Sequence, residues 1–340
     1  MRRVAWALAL VTTGNAWSAE LNPIPEEPGL SGNLGLGVTY FSVESNFITG
    51  NRLVSLDNET VDDLQAAPGS ESAWSPTFQI DLRYTLSNQR SQWFIGNALQ
   101  DLVRLDLTQQ IGFRHKLDGW GTPSLSYVFS SVPTEVYADP FLTGEPRATT
   151  DRDSNGFRLG WDNIGDSPLG FTYTQRDIDI DDERAGQSLL AQGRLDQSEQ
   201  SALRRSGTQH RYELLALFEA GERQLLAPQL FYVERDLDGE ANAGDGYGAQ
   251  LTYSRRGQGH TLVATAAYAV RNYDSDNPVY DRKADADEYG VSGTVILHDV
   301  AGWKRWDVLL GLAWYESDSD IDFYDTRVFA ANATLLYRFR

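Results

Sequence analysis

Residues 74–86 alternate without a break. Trp74, Pro76, Phe78, Ile80, Leu82, Tyr84 and Leu86 share one parity, and Ser75, Thr77, Gln79, Asp81, Arg83 and Thr85 share the other. A period of two held this long is that of a β-strand with one apolar and one wet face. It outruns the roughly five or six residues usual for a globular strand. The pattern returns in Leu34, Leu36, Val38 and Tyr40, in Leu169, Phe171 and Tyr173, and in Trp306, Val308, Leu310, Leu312 and Trp314. In all it predicts fourteen strands, at 30–46, 73–86, 91–100, 102–116, 122–133, 154–163, 168–178, 206–219, 224–236, 246–256, 259–273, 285–298, 303–317 and 325–340.

The connections sort into two sets. Those at 87–90, 117–121, 164–167, 220–223, 257–258 and 299–302 are short; those at 47–72, 134–153, 179–205, 237–245, 274–284 and 318–324 are mostly long. Short turns at one end and long loops at the other mark an all-β, transmembrane, antiparallel up-and-down β-barrel of the outer-membrane type. The junction at Gln100–Asp101 breaks the rule by being short. If 91–116 is one bent strand pair misread, the second choice is twelve strands.

Cost decides which face is which. An Arg or Lys on the lipid face costs about 2–4 kcal/mol at the midplane. A slip of one residue within 74–86 would put Asp81 and Arg83 into hydrocarbon, so the apolar parity must face lipid and the polar parity the interior. Aromatic residues collect at the segment ends, with Trp93, Trp120, Trp161, Trp303 and Trp306 near short turns and Tyr40, Trp74, Tyr173 and Trp314 near long loops. Two interfacial girdles require that placement. The competing reading is a soluble periplasmic sandwich that buries these faces against each other.

The amino terminus fits export. Arg2 and Arg3 precede an apolar run from Val4 to Val11, and small polar residues follow to Ala19. This is the order of a secretory signal peptide, and the run falls well short of the ~20 residues of a spanning helix. The expected organisation is a signal peptide at 1–19, a periplasmic segment or plug at 20–29, and the barrel at 30–340. Against 29 Lys+Arg stand 48 Asp+Glu, a formal charge of −19. No basic stripe is available to displace the counterions of a nucleic acid. With no cysteine, disulfide scaffolds, thiolate metal centres and thiol nucleophiles are excluded.

The last strand, with Leu335, Tyr337 and Phe339, resembles the C-terminal signal of bacterial outer-membrane proteins, although Arg340 follows the final aromatic. That resemblance implies the barrel-assembly machinery as a partner. The glycine-rich stretch Gly29–Gly37, followed by Ser45-Asn46 and Gly50-Asn51, resembles the opening of an uncharacterised family of Gammaproteobacterial outer-membrane barrels. The resemblance implies a location in the outer membrane and assigns no activity.

An enzymatic reading finds little support. Asp151-Arg152-Asp153-Ser154-Asn155-Gly156 is similar to the His-x-Ser-Asn-Gly motif of outer-membrane phospholipase A, in which the His activates the Ser. Here Arg152 holds the His position, and a guanidinium cannot serve as a base near neutral pH. Ser154-Asn155-Gly156 reads more simply as the turn leading into the next strand. Of the four histidines, His115, His260 and His298 sit beside short turns and His210 stands next to Arg211. None has the surroundings of a metalloprotease helix or a nucleophile elbow.

Two acidic ladders and a set of inward charges remain. Asp177, Asp179 and Asp181 recur every second residue, as do Glu316, Asp318 and Asp320, so each set lies on one face of an extended strand. Such crowding is expected either to be simply solvated or to bind Ca²⁺ or Mg²⁺, bridging the loops to phosphates of lipopolysaccharide. On the interior parity, Asp81 with Arg83, Arg104 with Asp106, Arg114, Arg211 with Glu213, Arg271, Arg305 with Asp307, and Arg338 are expected to line the lumen. They would form cross-strand ion pairs or the wall of a water-filled pore, because fourteen strands enclose more space than side chains fill in eight. The expected function is a porin-like channel for small hydrophilic solutes, with a weak cation preference set by its acidic mouth. A surface structural or ligand-binding barrel using loops 47–72 and 179–205 is the alternative, and a lipid hydrolase the third.

Overall fold

The computed structural model describes residues 23–56, 60–97 and 107–339. The expected signal peptide lies outside these residues. In chain order the strands are β1 (Gly29–Glu44), β2 (Ile48–Asn51), β3 (Val54–Ser55), β4 (Ser70–Thr85), β5 (Ser91–Asn97), β6 (Leu107–His115), β7 (Thr122–Val132), β8 (Thr134–Tyr137) and β9 (Thr149–Asp162). They continue with β10 (Leu169–Ile180), β11 (Gly207–Ala216), β12 (Phe218–Gly221), β13 (Gln224–Leu237), β14 (Gly244–Arg256), β15 (His260–Tyr273), β16 (Ala286–Leu297), β17 (Trp306–Ser319) and β18 (Thr326–Phe339).

Fourteen of these are the staves of a closed antiparallel barrel. Each pairs with the next in the chain, and β1 pairs with β18 from Gly32↔Phe339 to Glu44↔Arg327 to close the ring. Each stave coincides with one of the expected segments. The alternative of twelve strands fails because β5 and β6 are separate partners, in register from Ser91↔His115 to Asn97↔Gln109. The expected junction at Gln100–Asp101 falls within 98–106, outside the described residues.

The outer face carries the apolar parity. Leu36 is 61% exposed and Trp74 68%, while inward-facing Thr85, Gln92 and Thr108 are buried. A soluble sandwich would show the reverse, and so broad an apolar surface calls for lipid around it. Among the described residues no helix is long and apolar enough to cross a membrane; the crossing is made by strands.

Three differences from the expected pattern have local causes. β9 begins at Thr149, so Ser154-Asn155-Gly156 lies inside a strand rather than in a turn. Gly156 is bare there because a Cβ would stand 1.9 Å from the carbonyl oxygen of Gln175 on β10. The segment 47–72 holds the short hairpin β2–β3, and β2 pairs with β8 at Ile48↔Val136; both are too short to show a period. The loop 181–206 contains two single-turn helices, α1 (Gln187–Ala191) and α2 (Gln197–Ser201). The second is closed by a capping box between Asp196 and Glu199, which satisfies orphan amides at its start.

Candidate functional site: the lumen and its cap

The long loops do not project freely; they fold onto one another over the mouth. Leu64, Phe141, Ala185, Leu189, Leu195, Leu203, Ala241, Ala284, Ile321 and Phe323 form one buried apolar cluster, joined at the barrel rim by Tyr273. Every long loop among the described residues contributes to it. The Phe323 ring lies 5.8 Å from both Phe47 and Phe141 and 6.2 Å from Tyr280. Such packing removes apolar surface from water at roughly 25 cal/mol per Å², which is what holds short irregular segments in place.

Polar contacts between loops fix the register of this cap. The Asn46 amide donates to the Phe323 carbonyl at 3.2 Å, and Arg147 donates to the Asn46 carbonyl at 3.0 Å while its guanidinium lies 3.6 Å from the Tyr137 ring centre. Asp139 accepts from the backbone amides of Phe141, Gly186 and Ser188 at 3.1, 3.0 and 2.8 Å. Tyr280 donates to the Leu64 carbonyl at 2.9 Å, and Asn277 donates to the Tyr324 hydroxyl at 2.6 Å. Burial pushes the Tyr280 and Tyr324 phenols well above their usual range, raises the Asp325 carboxyl, and lowers the Arg147 guanidinium.

Below the cap, the inward face is charged and hydrogen-bonded. Asp81 and Arg83 pair at 2.8 Å, Arg211 and Glu213 at 3.0 Å, and Arg271 pairs with Glu288. Arg114 donates to Gln92 at 2.9 Å. Arg158 donates to Thr174 at 2.9 Å and to Gln110 at 3.3 Å. At the periplasmic end Asp307 takes the Arg338 guanidinium at 2.7 Å and the His298 ring at 3.1 Å. Arg114, Gln92, Arg158, Thr174, Glu213 and Asp307 are buried among these neighbours, and the other inward side chains are half-buried.

Two cavities are stacked on the loop side of the lumen. One, of about 140 Å³, lies directly beneath the cap and is lined by Arg152, Arg205, Arg235, Arg271, Tyr273 and Tyr324, among others. The other, of about 70 Å³, adjoins it through Arg235 and Arg271 and adds Arg176, Arg211 and Glu288.

The expected lumen residues divide as follows. Asp81, Arg83, Arg114, Arg211, Glu213, Arg271, Asp307 and Arg338 face inward on their staves. Arg104 and Asp106 lie outside the described residues. Arg305 is a correction: it is exposed on the turn before β17, its backbone is in the left-handed region at φ 73, and its amide donates to Asp299. Asp307 pairs with Arg338 across the β17–β18 seam instead. Arg158, Arg176 and Arg235 were missed, although parity could have found them: Arg158 sits between the lipid-facing Phe157 and Leu159.

The acidic ladders lie where expected, on the outer parity above the girdle, but they stay apart. Asp177 and Asp179 are on β10 and Glu316 and Asp318 on β17, with β11, β13, β14, β15 and β16 between. Asp177 accepts from Thr208 at 2.9 Å, Glu316 meets Arg327 at 2.6 Å, and Asp320 lies 4.0 Å from Arg282. Asp181 follows β10 in the loop and is exposed. Among the described residues no three acidic or imidazole side chains come together as a metal-holding group.

Comparison with known proteins supports the architecture. No curated protein matches the chain. Among solved structures, the "TodX monoaromatic hydrocarbon channel deltaS2 mutant" superposes with a TM-score of 0.50 at 13% identity, over 96% of this chain and 93% of that one. The "Crystal structure of a Pseudomonas aeruginosa FadL homologue" gives 0.48 at 13%, over 92% and 91%. The Pseudomonas putida toluene transporter TodX gives 0.46 at 12%, over 96% and 94%. At these identities the likeness is one of fold, that of a closed β-barrel. A family model described as "Protein of unknown function (DUF2860)" matches residues 29–338, and the chain belongs to that family.

Proposed function

We propose that the protein is a gated outer-membrane channel for small polar solutes, closed at rest by its own loops. One observation carries this reading: an apolar cluster built from the loops rather than from the wall lies over a lumen lined with charge. A barrel serving only as an anchor needs neither. Loops are also the least costly part of such a fold to move, because the staves keep their backbone hydrogen bonds when the cap parts.

Selectivity follows the layers. The exposed acids at the rim favour cations on approach, and the arginines along the two cavities below work in the opposite sense. A hydrolase is disfavoured on geometry as well as on sequence. Ser154 is buried inside the barrel, 3.0 Å from the Ser130 hydroxyl and in contact with Arg176, where no lipid ester reaches it.

Planar-bilayer recording tests the proposal. The wild-type protein is expected to stay mostly closed with brief openings. Phe323→Asp, which places a carboxylate in the centre of the cap, is expected to raise the open fraction at least tenfold. Silence of both proteins at every voltage would refute the channel and favour the loop-borne binding scaffold.

A further inference from the structure

The outer wall changes character where it reaches two neighbouring short turns, the one between β12 and β13 and the one between β14 and β15. Glu222, Arg223, Gln224, Arg255, Arg256 and His260 line one groove there. Three arginines beside a single carboxylate invert the balance of a chain with 48 acidic and 29 basic residues. The two turns are held together, since Gln224 pairs with Arg255 in the sheet and the Arg256 amide donates to the Arg223 carbonyl at 2.9 Å. Arg223 and Arg255 are exposed, and among the described residues neither guanidinium has an ion-pair partner, Glu222 included. Elsewhere at this end the chain supplies such partners itself, as Asp118 does for Arg90 and Asp307 for Arg338.

The height of the groove on the wall narrows what can fill it. Arg255 continues the lipid-facing parity of β14, after the exposed Tyr247 and Leu251 and then Tyr253. The Tyr253 hydroxyl donates to Gln224 at 2.8 Å, and a ring with a polar tip at this level marks the membrane interface. Arg255 lies two residues further along the strand, roughly 6–7 Å away, at the depth of lipid phosphates rather than of acyl chains. Its partner on β15 is Leu262, which faces lipid. A cell-wall polymer lies below the membrane and would meet the tips of the turns, not the lipid-facing side of a stave.

We propose that this groove binds the phosphate of an anionic phospholipid in the leaflet at the short-turn end. The planar forks of Arg223 and Arg255 donate to its oxygens, and its acyl chains run up the wall along Leu262 and Leu251. A zwitterionic head group brings its own ammonium, which competes with the arginines for the phosphate, so a lipid with net negative charge is preferred. The site lies outside the lumen and stands whether or not the channel opens.

Native mass spectrometry of the folded protein released from a neutral detergent is the experiment, with phosphatidylglycerol, phosphatidylcholine and diacylglycerol as probes. Wild-type protein is expected to retain phosphatidylglycerol roughly tenfold more than phosphatidylcholine, and diacylglycerol least. The double variant Arg223→Gln, Arg255→Gln is expected to lose that preference, and Arg90→Gln, at another short turn, to keep it. Equal retention of the two phospholipids by the wild type overturns the site, and so does a preference that survives in the folded double variant or is lost equally in Arg90→Gln. Displacement of the lipid by soluble glycerophosphate would make the groove a general phosphate site and overturn the lipid assignment. Sedimentation with purified cell-wall sacculi, lost in the double variant and without any lipid preference, would give the groove to the wall and overturn it as well. Should the double variant fail to fold, salt decides on the wild type: the preference is expected to fall as ionic strength rises, and one indifferent to salt overturns the proposal.

Discussion

Asp307 shows what a single inward charge does in this barrel. It is 1% exposed and receives the Arg338 guanidinium, the His298 ring and the Asp299 amide at once. Removing one partner of a buried pair leaves the other charge uncompensated and costs about 3–5 kcal/mol. Asp307→Asn is therefore expected to lower the guanidinium unfolding midpoint of the refolded barrel by an amount equivalent to about 3 kcal/mol; an unchanged midpoint would show that water replaces the carboxylate at the periplasmic rim. Residues of this kind were only half legible in the sequence. Parity places Asp81, Arg83 and Glu213 inside, but it cannot say that Arg305 turns outward, because a left-handed turn residue falls outside any period. Gly35 and Gly37 make a related point. A Cβ on Gly37 would lie 2.3 Å from the Ala333 carbonyl oxygen, and one on Gly35 would lie 2.4 Å from a Leu336 methyl. The glycine-rich start of β1 is thus a steric requirement of the closing seam.

The staves are the scale at which sequence and structure agree best. Alternation over ten or more residues has few physical solutions once one face must meet lipid, and fourteen such runs define the ring. What escaped were β2, β3 and β8, each too short for a period to register. The lipid face supplies the element-scale test. Leu36, midway along β1, pairs with Phe78 on one side and Leu335 on the other. Leu36→Arg is expected to cost about 2–4 kcal/mol of barrel stability, whereas Gln79→Arg, on the inward parity of the neighbouring stave, is expected to cost far less. Equal losses in urea titrations from lipid vesicles would mean that the faces are assigned the wrong way round.

At the scale of the whole molecule the cap was the least legible part. Leu64, Phe141, Leu189 and Phe323 sit in loops without period, and only their convergence in space makes them a core. The apolar content of those loops was the available signal. The cap also carries a pH dependence. Tyr280 and Tyr324 hold their protons more tightly in the closed cap than in the open one, where a phenol returns to about 10. The closed form is therefore fully favoured below about pH 10. It loses that advantage as pH rises further, because only the parted loops release the protons. Open fraction in bilayers is expected to climb above about pH 10, and the double variant Tyr280→Phe, Tyr324→Phe is expected to flatten the climb. A wild-type open fraction indifferent to alkali would contradict the assignment.

Because each long outer connection among the described residues lends side chains to one shared nucleus, the loop side presents a single conformational epitope instead of independent tips. A peptide tag grafted into any of those connections should loosen the whole lid, so antibody or phage recognition and barrel closure would be lost together.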